Sequence, residues 1–198
     1  MIQDVFFRIG GATPGKATIS LQINTDNVIL DDLWAWRADH GAGVGWTNNT
    51  AANGAIVNGA NVIANGLFVE HYQNFEVIWN GENGKTIMFQ NEMPYDPPSQ
   101  SDWSHHGVNG FASYKVANWV KVHQAFGMGA YCNFEADPSI VNDHAFEVPV
   151  TSGVQFKDLV TVSLGGIGTI DHVINETGGT ANTTTQVVDQ VVDLVSFP

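Results

Sequence analysis

The sequence contains a single cysteine, Cys132, among its 198 residues. One cysteine cannot form an intramolecular disulfide framework or a cysteine-based metal cluster. Basic residues are also scarce, since seven Lys and Arg stand against twenty Asp and Glu, for a formal net charge of −13. Phosphate groups are bound by clustered Lys and Arg, so we expect neither nucleic acid nor anionic membrane as a partner. No run approaches the roughly 20 apolar residues of a membrane-spanning helix.

Aromatic residues are plentiful, with eleven Phe, six Trp and four Tyr in a chain that is 43% apolar. Such a chain can bury a core, which argues against disorder and for one globular domain. Helical periodicity is scarce. Short alternating runs such as 18–23 and 75–79 are separated by Gly, Asn, Asp and Pro, which predicts strands and turns. Only the run 185–194 has a spacing that fits a helix as well as a strand, so the chain is expected to be all-β.

A two-strand cassette repeats along the chain. Residues 27–36 recur as 61–70, with looser copies at 84–92 and 153–162. Each copy is a short strand, an Asn, Asp or Gly corner and a second strand, which is the pattern of a solenoid. Asn27 and Asn61 are expected at corners where φ becomes positive. We therefore predict one right-handed parallel β-helix domain over residues 1–198, either whole or as a fragment of a longer chain.

A β-sandwich or jelly roll is the alternative architecture, because these folds also contain many short strands with Gly and Asn turns. Their strands are usually joined by hairpins and do not repeat a two-strand cassette. The repeat therefore favours the β-helix.

Two segments resemble a known group of proteins. Residues 59–73 and 90–98 look like pectin-lyase-like β-helix proteins, a group often labelled coagulation factor 5/8-type or adenylyl cyclase. That group is similar in architecture to family 55 glycoside hydrolases, the β-1,3-glucanases, and the segments 145–149 and 160–166 fit the same pattern. The resemblance is to the C-terminal portion of longer proteins. It implies a pectin-lyase-like solenoid, a polysaccharide partner and cleavage of a neutral, β-1,3-linked glucan without a cofactor.

The repeats also place acidic side chains beside one another. Aligning the first two copies sets Trp36 against Glu70, and the third copy brings Glu92 to the same place. Rungs about 4.8 Å apart would make the two glutamates neighbours. Paired carboxyls about 5 to 10 Å apart perform glycoside hydrolysis, so Glu92 is predicted to be the general acid, with Glu70 or Asp96 as base or nucleophile. A solvated glutamate at a strand end is the competing interpretation.

Substrate-binding side chains are expected at the same strand ends and in the loop that follows them. They are Trp36, His71, Tyr72, Tyr95, Trp103 and His105. Residues 93–110 are rich in Pro and His and break the repeat, so we predict a functional loop there. Its adjacent histidines, His105 and His106, point to opposite sides of an extended chain, so no metal site is expected.

Two further functions remain open from the residues alone. The first is a non-catalytic carbohydrate-binding or structural β-helix, and the second is a polysaccharide lyase that uses Tyr114, Lys115 or His123. Only the lyase would call for Ca²⁺, and the shortage of cations argues against an anionic substrate. Exposed end rungs of a short solenoid predict a homodimer or a missing partner domain.

The compartment is left open, with secretion as the expectation. Residues 1–7 lack the basic and apolar regions of a signal peptide, whereas Asn48, Asn175 and Asn182 stand in glycosylation sequons.

Overall fold

A computed structural model describes residues 1–184 and 189–198 of the chain, and the side chains of all but 185–192. The strands are β1 (Ile2–Ile9), β2 (Ala17–Ile23), β3 (Ile29–Arg37), β4 (Ala51–Val57), β5 (Ile63–Glu70), β6 (Val77–Trp79), β7 (Gly84–Glu92), β8 (Ser104–His105), β9 (Val108–Asn109), β10 (Tyr114–Val116), β11 (His123–Cys132), β12 (Val141–Glu147), β13 (Val154–Leu164), β14 (Thr169–Ile174) and β15 (Asp189–Phe197). A 3₁₀ turn spans Gln100–Asp102, and none of the described segments is a helix long and apolar enough to cross a membrane.

The strands form two large sheets between which the chain alternates. One sheet has the order β1-β3-β5-β7-β11-β13-β15 and the other β14-β12-β10-β6-β4-β2, while β8 and β9 form a small hairpin. All pairs within the two large sheets are parallel except β13 with β15. The all-β prediction is confirmed, and parallel pairing argues against the sandwich, whose sheets are antiparallel. Of the ambiguous run 185–194, residues 185–188 lie outside the described part, and the rest begins β15.

Asparagines occupy a corner ahead of three strands in the seven-stranded sheet. Asn27, Asn61 and Asn83 have φ values of 60°, 57° and 55°. The amide of Asn61 donates to Asn27 Oδ1 at 3.1 Å, and that of Asn83 donates to Asn61 Oδ1 at 2.8 Å. Asn tolerates the left-handed region better than most residues, and stacking lets its amide bond to the next rung. The corners predicted at Asn27 and Asn61 are confirmed.

A left-handed residue also interrupts each of the six parallel strands of the seven-stranded sheet. These residues are Asp4, Asp32, Gly66, Met88, Gly127 and Asp158, with φ between 53° and 65°. Beyond this position the side chains alternate again, so that Leu33 is buried and Trp34 faces out. The interruption therefore decides which side chains of the later strand segment reach the surface.

Candidate active site

The register of the seven-stranded sheet brings two glutamates together. Trp36 of β3 pairs with Glu70 of β5, and Phe68 of β5 pairs with Gln90 of β7. Glu92 follows two residues after Gln90, so it lies beside Glu70 on the next strand. The alignment of Trp36, Glu70 and Glu92 predicted from the repeats is confirmed.

Glu70 is the more enclosed of the two carboxyls. Its residue is 9% exposed, and Oε2 accepts a hydrogen bond from Trp34 Nε1 at 2.7 Å. Burial raises the pKa of Glu70 to about 7, and the neighbouring charge of Glu92 adds to the rise, while the Trp34 bond opposes it. Glu70 therefore exchanges its proton near neutral pH.

Glu92 is held from two sides and stays accessible. Its side chain is 31% exposed, its Oε2 accepts a hydrogen bond from the Tyr95 hydroxyl, and His71 Nε2 lies 3.6 Å from the same oxygen. Burial raises the pKa of Tyr95 and lowers that of His71, so both groups are neutral at neutral pH. The ring of Tyr95 packs edge-on against His71, with centroids 4.6 Å apart.

His71 has a defined tautomer. Its Nδ1 is 3.1 Å from the carbonyl oxygen of Met93, which accepts a hydrogen bond only if Nδ1 carries the proton. Nε2 then presents a lone pair to two carboxylates, since Asp39 Oδ1 is 3.8 Å away and Glu92 Oε2 is 3.6 Å away. His71 is thereby fixed in orientation, with Nε2 facing the two carboxyl groups.

A buried arginine fixes the loop that follows Glu92. Arg37 Nη1 and Nη2 each lie 2.8 Å from one carboxylate oxygen of Asp96. Arg37 also donates to the carbonyl oxygens of Asn49 at 2.8 Å and His71 at 3.2 Å. Sequence reasoning missed Arg37, although an arginine ending an apolar strand in a chain with only seven cations is a signal that could have pointed to it.

An aromatic surface borders the two carboxyls. Phe6 stacks on Trp34 at 4.4 Å, and Trp34 lies 5.8 Å from Trp36 between ring centroids. Phe6 and Trp34 are 47% and 41% exposed, whereas Trp36 is covered by its neighbours and only 8% exposed. Exposed aromatic surface therefore comes from Phe6 and Trp34 more than from the predicted Trp36.

Two hollows flank the carboxyl pair. One of about 540 Å³ contains Phe6, Trp34 and Glu70 in its lining, and a second of about 530 Å³ contains Asp39, Tyr95 and Asp96. Indole and phenyl faces next to carboxyl groups suit a sugar ring, which has an apolar face and polar edges.

Three residues predicted to bind substrate lie elsewhere. Tyr72 is fully buried, and its hydroxyl bonds to the Ser20 hydroxyl at 2.6 Å. Trp103 is also fully buried, against Phe134 at 5.0 Å between ring centroids. Neither offers a surface to a substrate, because both rings are covered by the core. Their burial stabilises the fold.

The third, His105, belongs to the hairpin of β8 and β9. Its ring stacks on Phe111 at 4.4 Å, and its Nδ1 bonds to the Gly110 carbonyl oxygen at 2.8 Å. It contacts Phe75 and Phe111 and none of the carboxyl groups described above.

The groups considered for a lyase are also engaged. Tyr114 and His123 are fully buried and lie 3.1 Å apart between hydroxyl and Nε2, and Lys115 pairs with Glu147 at 2.7 Å. Within residues 1–184 and 189–198, no group of three or more His, Cys, Asp or Glu is arranged to hold a metal ion.

The sequence of this chain is similar to sequences of known proteins. Residues 1–92 match the family model of the LAM55 pectate lyase-like domain. The chain is 51% identical over 197 residues to an exo-beta-1,3-glucanase from Streptomyces sp. (strain SirexAA-E / ActE), which covers 100% of this chain and 32% of that protein. This chain therefore spans about a third of the length of that relative.

Two solved structures from the same source are also similar to this chain. The structure of sacteLam55A from Streptomyces sp. SirexAA-E superposes with a TM-score of 0.94 at 50% identity, over 98% of this chain and 35% of that one. A glutamate-to-alanine variant of sacteLam55A, in complex with glucose, matches with a TM-score of 0.94 at 49% identity, over 98% and 34%. These matches confirm the resemblance to family 55 proteins and give no support to the coagulation factor label.

Proposed function

We infer that this chain is the carboxylate-bearing part of a family 55 glycoside hydrolase that cleaves β-1,3-glucan. The strands alternate between two parallel sheets, and crossovers between parallel strands are right-handed in almost every case. That topology supports a right-handed β-helix. The observation that carries the function is the pair Glu70 and Glu92 on adjacent strands, beside the exposed ring of Trp34.

Glu92 acts as the general acid in this proposal. It is the more exposed carboxyl, so it can reach the glycosidic oxygen. Tyr95 and the strand end hold the carboxyl in one place, which shortens the search for a productive geometry.

Glu70 is the stronger candidate for the second carboxyl. Once ionised, it can accept a proton from water or stabilise charge at the anomeric carbon. Asp96 is less suited, because both of its oxygens accept hydrogen bonds from Arg37. The reaction then needs only side-chain carboxyls and no cofactor.

The direct test is release of reducing sugar from laminarin, a neutral β-1,3-glucan. Glu92→Gln should lower kcat/KM by about 10³-fold, since a general acid contributes 10² to 10⁴. The control is Glu176→Gln at an exposed position, with circular dichroism to confirm that both variants fold. Full activity in Glu92→Gln would refute the assignment.

A non-catalytic glycan-binding surface is the second candidate, favoured by the exposed rings of Phe6 and Trp34. In that case the protein would bind laminarin without releasing sugar. Binding would survive Glu92→Gln and weaken in Trp34→Ala.

Secretion remains a prediction that the substrate class supports, because an intact polysaccharide is found outside the cell that degrades it. Detection of the protein in culture medium, together with glycan at the sequons of Asn48, Asn175 or Asn182, would test it.

A further inference from the structure

A second polar surface lies at the opposite ends of the strands that carry the glutamates. Glu70 and Glu92 end β5 and β7, whereas this surface lies where β5, β7 and β11 begin. It includes a groove of about 270 Å³. The groove is lined by Asn61, Ile63, Asn83, Gly84, Lys85, Val122 and Gln124. It contains none of the residues assigned to the proposed reaction.

Two rows of stacked asparagine amides end in the loop 80–83, and the row that ends at Asn83 lines the groove. Asn83 ends the row described above, and Asn80 ends a second row in which its amide donates to Asn58 Oδ1 at 2.8 Å. Among the described residues, no donor bonds to the Oδ1 atoms of Asn80 and Asn83. Each row therefore ends in an amide oxygen that is free to accept a hydrogen bond.

Trp119 stands in the turn that also supplies Val122 to the groove. It is 64% exposed, the largest exposed fraction of any tryptophan among the exposed apolar residues of the described chain. Its Nε1 donates to the carbonyl oxygen of Asn80 at 3.1 Å, which fixes the ring relative to the amide row. Val122 in the same turn is 42% exposed, so the two side chains form an apolar patch bordered by amides, the kind of surface that marks a binding site.

The turn itself is fixed by Glu82. Its carboxylate accepts hydrogen bonds from the N–H groups of Lys121, at 2.9 and 3.1 Å, and of Val122, at 3.1 Å. Trp119 is thus preorganised, and a ligand would not have to order the turn on binding.

The charges around the groove are few. Glu82 is used on backbone N–H groups, Lys85 lies over the ring of Phe126 at 5.6 Å, and Lys121 is exposed in the turn that carries Trp119. The remaining polar groups are uncharged amides, which exchange hydrogen bonds with hydroxyl groups in both directions. A flat indole beside such amides fits a neutral pyranose, which offers an apolar face and a rim of hydroxyls.

We propose that Trp119, Asn80, Asn83 and Gln124 form a second, non-catalytic binding site for a neutral polysaccharide. The choice of β-1,3-glucan as its ligand rests on the proposed function. The site would hold the polymer on the protein while another part of the chain enters the carboxyl site.

The test measures binding to insoluble β-1,3-glucan by depletion from solution, in the Glu92→Gln background so that hydrolysis during the measurement is negligible. Trp119→Ala should weaken binding about 5- to 10-fold, while Trp119→Phe should keep most of it because the ring remains. Met88→Ala is the matched control, since Met88 is 50% exposed within β7 and does not line the groove. With active protein, Trp119→Ala should hydrolyse short soluble oligosaccharides at the parent rate.

Three outcomes would overturn the site. They are equal binding by Trp119→Ala and its parent, binding of an anionic pectin in place of neutral glucans, and a Trp119-dependent self-association seen by sedimentation with no effect on glycan binding. Failure of the proposed hydrolysis is a separate result, because it is read from sugar release in Glu92→Gln and not from depletion.

Discussion

The two halves of the predicted functional loop 93–110 differ in composition and in their place in the structure. Residues 93–98 hold the three prolines and Tyr95, and residues 99–110 hold Trp103 and both histidines. Residues 93–98 are tied to the carboxylate strands through Tyr95, which donates to Glu92, and through Asp96, which pairs with Arg37. Residues 99–110 turn away. Trp103 is buried in the core, and His105 packs on Phe111.

The difference shows that aromatic, proline and histidine content does not by itself locate a functional loop. The first half leaves the strand directly after Glu92, so its backbone remains at the level of that rung. The second half lies against β12 of the other sheet, where Asn109 bonds to Asp143, and its large rings pack on Phe111 and Phe134. Which half lies at the candidate site is decided by its position next to the strand end at Glu92 and not by its composition.

The largest expected effect is on stability, in the second half. Trp103→Ala removes a fully buried ring and should lower the free energy of unfolding by about 4 kcal/mol. Denaturant unfolding followed by circular dichroism measures this loss. At temperatures where the variant is folded, kcat/KM should match the parent, and a selective loss of activity would contradict the division between the halves.

The next effect concerns the first half. Asp96→Ala leaves the buried guanidinium of Arg37 without its charged partner and should cost about 3 kcal/mol. Asp102→Ala is the matched change in the second half, where the carboxylate is exposed, and should cost about 0.5 kcal/mol. Equal losses in the two variants would show that the Arg37 pair does not anchor the loop.

Some of these features could be predicted from the sequence, and others could not. The repeated cassette predicted the corners at Asn27 and Asn61 and the alignment of Glu70 with Glu92, because parallel rungs preserve register. It did not predict that Tyr72 and Trp103 are buried, since either direction suits an aromatic side chain.

Two physical features explain why the outward-facing side chains and the Arg37–Asp96 pair could not be predicted from the sequence. The left-handed residue in each strand resets which side chains face out, and its identity varies among Asp, Gly and Met, so no common residue marks it. The Arg37–Asp96 pair joins residues 59 positions apart, in different turns of the repeat. Nothing in the local sequence of either residue identifies the other.

The third effect concerns Glu70, the carboxyl that lies beside Glu92 near the first half of the loop. Burial raises the pKa of Glu70 from 4.5 to about 7, so between these values the folded protein binds more protons than the unfolded chain. The stability that this proton provides is fully present below pH 4.5 and is lost as the pH rises through 7. Glu70→Gln should therefore gain about 3 kcal/mol relative to the parent between pH 4.5 and 8.

Denaturant unfolding at several pH values would measure this gain. Glu176→Gln, at an exposed position, should follow the parent at every pH. A constant difference between Glu70→Gln and the parent would show that Glu70 ionises in the folded protein as it does in the unfolded chain.

The smallest effect isolates the hydrogen bond between Tyr95 in the first half and Glu92, the carboxyl of the proposed reaction. Tyr95→Phe removes the hydroxyl that donates to Glu92 and keeps the ring that packs on His71. Loss of one hydrogen bond to a carboxyl, about 1.4 kcal/mol, corresponds to a tenfold lower kcat with KM nearly unchanged, because the tyrosine positions the acid and is not assigned a contact with the sugar. Steady-state kinetics on a soluble β-1,3-oligosaccharide, with unfolding by denaturant as the control for stability, would test it. A raised KM at unchanged kcat would instead make Tyr95 a substrate contact, and the first half would then serve binding more than positioning.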